Sequence, residues 1–133
     1  MTERAIATEA DILFAALPAV SVAIPRCRIF RRAIVEGQMA AGWYAKAGIP
    51  GQCDAYVLAD RSTYKNWYVE IEAKSRVGKH RQQQLAWRAL CLDLSIPYLE
   101  WRVSRGETPE QTVGRWVAEL RRMLDGADTT VAG

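Results

Sequence analysis

Two carboxylates and a lysine are the residues of this sequence whose types and spacing could do chemistry. Asp54 follows the stretch GIPGQC, and Glu72 and Lys74 stand two residues apart in the apolar run WYVEIEAK. Carboxylate oxygens are the ligands that a hard ion such as Mg²⁺ takes, and a lysine beside them can stabilise developing negative charge. Such a group suits metal-assisted hydrolysis of a phosphodiester.

The strands predicted around these residues would bring them together. CDAYVLA, 53–59, and WYVEIEAK, 67–74, are joined by the polar stretch DRSTYKN, which predicts an antiparallel hairpin. The start of the first strand then lies opposite the end of the second, so Asp54 would meet Glu72 and Lys74. Alternate residues of a strand share a face, which puts Glu70 on the side of Glu72. The competing interpretation is a solvated edge with a surface ion pair of little energetic value.

The other elements predict an α/β fold in the order α-β-β-β-α-β-α, with a mixed sheet flanked by helices. Helices are expected at 3–17, where Pro18 would end the first, at 79–94 and at about 109–124. Thr108 is a suitable N-cap for the last helix, with Pro109 at its first position. Further strands are expected at 27–32 and 98–103. An irregular connection is expected at 35–52, with a helical turn near 39–43.

Length and composition favour one folded domain, 1–125, followed by a disordered tail, 126–133. The chain has 133 residues, of which 50% are hydrophobic and 25% charged. Its longest uncharged run, 12–25, is too short to span a membrane, so we expect a cytoplasmic protein. Cys27, Cys53 and Cys91 lack zinc-ligand spacing and are expected to be reduced thiols.

Two clusters of basic residues favour a polyanionic partner, although a solvated surface would explain them equally well. The candidate phosphate contacts are Arg28, Arg31, Arg32, Arg76, Lys79 and Arg81. His80 lies among them and is not expected to be catalytic. The five tryptophans are most simply core or rim residues, although Trp87, together with Tyr44, could stack on an unpaired base.

The motifs taken in order resemble those of a known nuclease family. Asp54, followed eighteen residues later by Glu72-Ala73-Lys74, resembles the PD-(D/E)XK nucleases. GIPGQCDAYV resembles the G-x-P-x-D segment of the VRR-Nuc subfamily, the virus-type replication and repair nucleases. VEIEAKSRVGKHRQQQLAW resembles its hhExK motif with the following glycine, basic residue, glutamine and aromatic, and RIFRR resembles its arginine-containing strand. The likeness covers about residues 6–103.

The resemblance implies a restriction-endonuclease-like core and a role for each matching residue. Asp54 and Glu72 would be metal ligands together with the main-chain carbonyl of Ala73, and Lys74 would serve the attacking water. Gln84 would brace the site or the phosphate, although Gln82 and Gln83 leave its register open. A glutamate of the first helix often joins the metal in this family, which makes Glu9 the candidate ahead of Glu3.

The chain departs from the family pattern in two places. Gln52-Cys53 stands before the aspartate where a proline is common, which we expect to be harmless. Glu70 stands where such strands usually carry an apolar residue. It could support the ligands from behind, lie on the surface or act as an extra ligand.

The function implied is that of a Mg²⁺- or Mn²⁺-dependent DNA endonuclease, encoded by a phage or a mobile bacterial element. Branched DNA such as a four-way junction is the implied substrate, and a homodimer the implied assembly. Trp116 and Leu120 of the last helix could form the dimer interface or close the domain's own core. The alternatives are a nuclease or nickase acting on linear duplex, a catalytically silent nucleic-acid-binding module, and an interaction protein whose charges are mere surface.

Overall fold

The computed structural model describes residues 8–32, 35–38, 44–47, 53–78 and 82–127, and these form an α/β fold. A four-stranded mixed sheet is accompanied by a two-stranded one and by three helices within the described residues. In chain order the elements are α1 Glu9–Ala23, β1 Cys27–Arg31, β2 Val35–Gln38, β3 Tyr44–Ala47, β4 Ala55–Ala59, β5 Tyr68–Lys74, α2 Gln82–Asp93, β6 Tyr98–Arg102 and α3 Pro109–Leu124.

The larger sheet has the strand order β1-β4-β5-β6. The strands β1, β4 and β5 pair antiparallel, and Ala55 lies opposite Ile71 in the β4–β5 hairpin. Strand β6 pairs parallel to β5, and α2 supplies the crossover connection that a parallel pair needs. The hairpin predicted from the sequence is therefore confirmed, and it sets the start of β4 beside the end of β5.

One face of this sheet builds the main hydrophobic core against α1 and α3. The strands contribute Val57, Ile71 and Trp101, and the helices contribute Val20 and Leu120. Trp101 also stacks on Trp116 of α3, with ring centroids 5.1 Å apart. Burial of this apolar surface is the main force that fixes the sheet.

The opposite face carries the charged residues of β5, and α2 packs at its β6 side. Cys91 of α2 joins a small buried cluster with Cys53 and Tyr98, against which Trp87 packs partly buried. This packing agrees with the simplest expectation for Trp87, a core or rim residue, rather than with base stacking. The side chain of Tyr44 lies outside the described part of the chain.

The last helix agrees with its predicted start. Thr108 caps it in a capping box with Gln111, and Pro109 is its first residue. Trp116 and Leu120 are both fully buried within this chain. Of the two roles open for them, the structure therefore shows closure of the domain's own core.

The first helix continues beyond the predicted end. It runs from Glu9 to Ala23 with Pro18 inside it, whereas the sequence predicted 3–17. Pro18 lacks the N–H that would bond the carbonyl of Phe14, but both residues are exposed, so water can satisfy that carbonyl. Burial of Ala16 and Val20 on the other side of the helix continues through this turn. The part of the prediction before residue 8 lies outside the described residues.

The prediction of an irregular connection at 35–52 is wrong for eight residues, which form β2 and β3. Strands β2 and β3 pair antiparallel, with Val35 opposite Ala47. Alternation in this stretch is weak because glycine and alanine carry little side-chain pattern. The helical turn expected near 39–43 lies outside the described residues.

Two further expectations concern the tail and the membrane. Gly126 and Ala127 donate backbone hydrogen bonds to the carbonyls of Met123 and Arg122 and form the turn that ends α3. The rest of the tail, from 128, is outside the described part.

No helix in the described ranges is long and apolar enough to cross a membrane.

Candidate metal and nucleic-acid site

The hairpin brings Asp54 to the end of β5. The Oδ2 atom of Asp54 accepts a hydrogen bond of 2.8 Å from the backbone N–H of Ala73. This contact follows from the register, because Ala55 pairs with Ile71 and places Asp54 at the level of Glu72. The aspartate is thus tied to the strand that carries the other predicted ligands.

Gln84 of α2 links the two charged residues of β5. Its Oε1 atom accepts a hydrogen bond of 2.8 Å from Lys74 Nζ, and its Nε2 donates one of 2.8 Å to Glu72 Oε1. Lys74 Nζ itself lies 3.7 Å from Glu72 Oε1. Gln82 and Gln83 are exposed, so of the three adjacent glutamines Gln84 is the one that contacts Glu72 and Lys74.

Burial makes the two carboxylates costly to ionise together. Glu72 is only 2% exposed, and burial, with repulsion from Asp54, raises its pKa to about 8 despite the opposing effect of Lys74. Burial also raises the pKa of Asp54, although its hydrogen bond from Ala73 and the charge of Lys74 act against that. Their interaction favours the proton on Glu72. In the absence of a further cation, the pair therefore holds a proton near neutral pH.

Glu9 faces the same cleft from the first residue of α1. A polar cleft of about 340 Å³ is lined by Glu9, Ala10, Leu13, Arg31, Arg32, Asp54, Glu72, Ala73, Lys74 and Gln84. The charge of Glu9 raises the pKa of Asp54, so the two carboxylates interact. Among the described residues, no set of three or more His, Cys, Asp or Glu side chains is arranged to hold a metal ion. A ligand role for Glu9 thus stays a prediction.

The residues present fit a hard divalent cation held with help from water. Two neighbouring carboxylates with raised pKa values lack enough positive charge to ionise freely, and a cation would supply it. Mg²⁺ commonly binds through one or two carboxylates and keeps several waters. Asp54, Glu72 and the carbonyl of Ala73 would hold such an ion.

Glu70 is a buried acid with its own partners. It is 2% exposed, so the surface interpretation is wrong. Both of its oxygens accept hydrogen bonds from the guanidinium of Arg32, one of them at 2.7 Å, and Tyr68 donates to it at 2.6 Å. Arg32, the residue after β1, therefore forms an ion pair with Glu70. Glu70 stands two residues before Glu72 on β5.

The predicted DNA contacts are placed in different ways. Arg28 and Arg76 are exposed, and Arg31 is exposed at the rim of the cleft. The guanidinium of Arg32 is occupied by Glu70 and would have to serve a phosphate in addition. The predictions for Lys79, His80 and Arg81 lie outside the described residues.

Sequence reasoning missed two supports of the site. Tyr68 was not singled out, although its spacing of two residues from Glu70 on one strand face was a usable signal. Arg102 of β6 donates to the carbonyls of Ser75 at 2.9 Å and Gly78 at 2.7 Å. It fixes the turn that follows Lys74, and only the parallel pairing of β6 with β5 reveals it.

No model of a protein family, no curated protein sequence and no solved structure matches this chain.

Proposed function

We propose that this protein is a Mg²⁺- or Mn²⁺-dependent DNA endonuclease of the VRR-Nuc type that hydrolyses phosphodiester bonds in structured or branched DNA. The observation that carries the proposal is the joint placement of Asp54, Glu72 and Lys74 at one polar cleft, with Gln84 bonded to both residues of β5. The ordered motif resemblance in the sequence gives independent support.

In the proposed reaction Asp54 and Glu72 are the metal ligands, and Ala73 fixes the position of Asp54. A bound divalent ion would neutralise charge on the scissile phosphate and lower the pKa of a water. Asp54 and Glu72 would hold that ion, and the N–H of Ala73 fixes the aspartate carboxylate in place. Since phosphoryl chemistry depends on positioning and electrostatic stabilisation, a rigid strand end is a suitable base for both ligands.

Lys74 supplies positive charge beside these ligands, with its Nζ 3.7 Å from Glu72 Oε1. The amide oxygen of Gln84 holds its ammonium group, so that the ammonium is aimed before any substrate arrives. In the proposed reaction Lys74 positions the attacking water or stabilises charge on the phosphate. Gln84 is then a positioning residue that acts through Lys74 and Glu72.

Exposed arginines give the DNA a path to the cleft. Arg31 at the cleft rim and Arg76 in the turn after β5 are exposed, and both could contact phosphates without reading sequence. A junction substrate and a homodimer remain part of the proposal on the motif resemblance alone. The same resemblance places the proposed activity in the cytoplasm of a bacterial or phage-infected cell.

A cleavage assay on labelled four-way junction, flap and linear duplex tests the proposal. It would run in Mg²⁺, Mn²⁺ or EDTA, with Glu72→Gln beside the wild type, because this change removes one charge and keeps the side-chain shape. Metal-dependent cutting that the variant loses is the expected result. Preferential cutting of linear duplex would show that the substrate is linear duplex and not branched DNA. Cutting that persists in EDTA or in Glu72→Gln would refute the proposed site.

A silent nucleic-acid-binding module is the second candidate. It would use the exposed Arg31 and Arg76 to contact phosphates, with no chemistry at Asp54, Glu72 and Lys74. DNA binding in the same assay, without cutting in any metal, would select it.

A further inference from the structure

A row of aromatic rings begins on the sheet face that carries Asp54 and Glu72 and ends at Trp67, the residue just before β5. Phe30 of β1 stacks on Tyr56 of β4 with centroids 5.2 Å apart, and Tyr56 stacks on Tyr68 of β5 at 6.2 Å. Trp67 meets Tyr68 edge to face at 6.2 Å. We call Phe30, Tyr56, Tyr68 and Trp67 the aromatic row.

The two ends of the aromatic row are open to solvent. Phe30 is 42% and Trp67 43% exposed, and Leu58 beside them is 41% exposed. The described helices pack elsewhere, with α1 and α3 on the opposite face and α2 beside β6. Large rings left exposed in a contiguous group mark a binding surface more often than a stabilising feature.

The charge around the aromatic row is positive. The Arg61 guanidinium lies 5.3 Å from the centre of the Trp67 ring, and exposed Arg28 stands two residues before Phe30 on the same strand face. An open groove of about 600 Å³ beside Phe30 is lined by Arg26, Cys27, Arg28, Phe30, Leu58, Ala59 and Asp60. Asp60, the acid of this lining, is ion-paired with Arg26. The groove therefore complements an anion.

The aromatic row runs directly into the candidate metal site. Tyr56 follows Asp54 by two residues on the same face of β4, which separates them by roughly 7 Å along the strand. Arg32 links the aromatic row to the strand that carries Glu72. Its guanidinium lies 4.7 Å from the centre of the Tyr56 ring and donates a hydrogen bond to Glu70 of β5. A strand of nucleic acid lying on the rings would reach the carboxylates without leaving the sheet.

We propose that the aromatic row binds an unpaired DNA strand, with bases stacked on Phe30 and Trp67 and phosphates contacted by Arg28 and Arg61. Base faces are available only when the strand is unpaired, and aromatic stacking beside a basic groove is how proteins hold single strands. This inference rests on the proposed nuclease function for its biological meaning. It narrows the substrate to DNA with a single-stranded arm beside the bond that is cut.

The test measures binding in EDTA, where no cleavage occurs. Fluorescence anisotropy would follow a labelled oligothymidine of about 12 nucleotides, within the range of such sites. Phe30→Leu and Trp67→Leu keep apolar bulk but remove the ring. Phe14→Leu is the matched control, because Phe14 is 65% exposed on α1, away from this face. We expect each ring variant to bind about fivefold more weakly or worse, the control to match the wild type, and blunt duplex affinity to be unchanged.

Three results would overturn the inference. Oligothymidine affinity could be unchanged in both ring variants. Duplex affinity could fall as much as oligothymidine affinity, so that the face does not distinguish unpaired DNA. A wild-type dimer could become monomeric in the ring variants during sedimentation, which would make the row a contact with a second copy.

The cleavage assay separates this inference from the proposed function. If the wild type cuts DNA but the ring variants bind oligothymidine as tightly as the wild type does, the nuclease proposal stands and the strand-binding inference is wrong. If the wild type never cuts DNA but the ring variants lose oligothymidine binding, the strand-binding inference stands and the nuclease proposal is wrong.

Discussion

Gln84 on α2 donates its side-chain N–H to Glu72 Oε1 on β5 over 2.8 Å, and its amide oxygen holds Lys74 at 2.8 Å. One neutral side chain thus fixes the spacing of a carboxyl group and an ammonium group that lie on a single strand. The bond ties the first turn of α2 to the strand end, so the helix is part of the site. Local unfolding of α2 would release both residues.

Replacing Gln84 by alanine should lower the turnover number more than it weakens DNA binding. Without the amide, Lys74 loses the acceptor that aims it, and small misplacements of this kind cost about 100-fold in rate. Single-turnover cleavage and anisotropy would measure the two quantities. Gln83→Ala, at the exposed neighbouring position, should leave both unchanged. Equal losses in the two variants would show that helix stability, and not the contact, is responsible.

Replacing Lys74 by methionine should reduce cleavage by about 100- to 1000-fold, as loss of one stabilising donor typically does. DNA affinity should change little, because the side chain is mostly enclosed and contributes little to the outer surface. Arg122→Met, which removes an exposed charge on α3, is the control. Turnover at the wild-type rate in Lys74→Met would end the assignment of Lys74 to the chemistry.

The stability of the metal-free protein should fall as the pH rises from about 5 to about 8. The folded state raises the pKa of Glu72 from 4.5 to about 8, so it binds a proton that the unfolded chain has already released. The stability contributed by this proton is fully present below the pKa of Glu72 in the unfolded chain. It is lost as the pH rises to the pKa of Glu72 in the folded state, and the free energy of unfolding then falls by at most about 1.4 kcal/mol per pH unit for one proton. Thermal melts in EDTA across this range would measure it.

Two controls accompany these melts. Mg²⁺ should raise the melting temperature more at pH 8 than at pH 5, because binding replaces the proton and is favoured where the proton is weakly held. Glu72→Gln should flatten the pH dependence and remove the Mg²⁺ effect. A wild-type melting temperature that rises between pH 5 and pH 8 in EDTA would contradict the protonation assigned to this pair.

Glu70→Met should destabilise the fold by up to about 3 kcal/mol, the lower end of the cost of breaking a buried ion pair, because the Arg32 side chain keeps 18% exposure. The change leaves Arg32 enclosed with no carboxylate, since Glu70 is buried and accepts two of its hydrogen bonds. Urea unfolding would measure the loss. The double variant Arg32→Met, Glu70→Met should recover much of it, because no unpaired charge remains. Additive losses in the double variant would mean that the two residues act independently.

Local patterns predicted most of the elements and the convergence of Asp54, Glu72 and Lys74 at one cleft. The β4–β5 hairpin, the opposite faces of Glu72 and Ile71, and the capped start of α3 all follow from alternation and capping, which depend on neighbouring residues only. The end of α1 was mispredicted because a proline rule acts locally, while burial of Val20 in the core outweighs it. The hairpin β2–β3 was missed because its sequence shows little alternation.

The sequence by itself determined which residues could do chemistry and, through the strand period, that Asp54, Glu72 and Lys74 would share one end of a sheet. Only the tertiary structure decided that Gln84 is the amide that reaches them, that Arg32 neutralises Glu70, and that four aromatic residues form one surface. Strand and helix periods extend over a few residues. These contacts instead join elements distant in the chain, so their geometry depends on how the sheet and α2 pack.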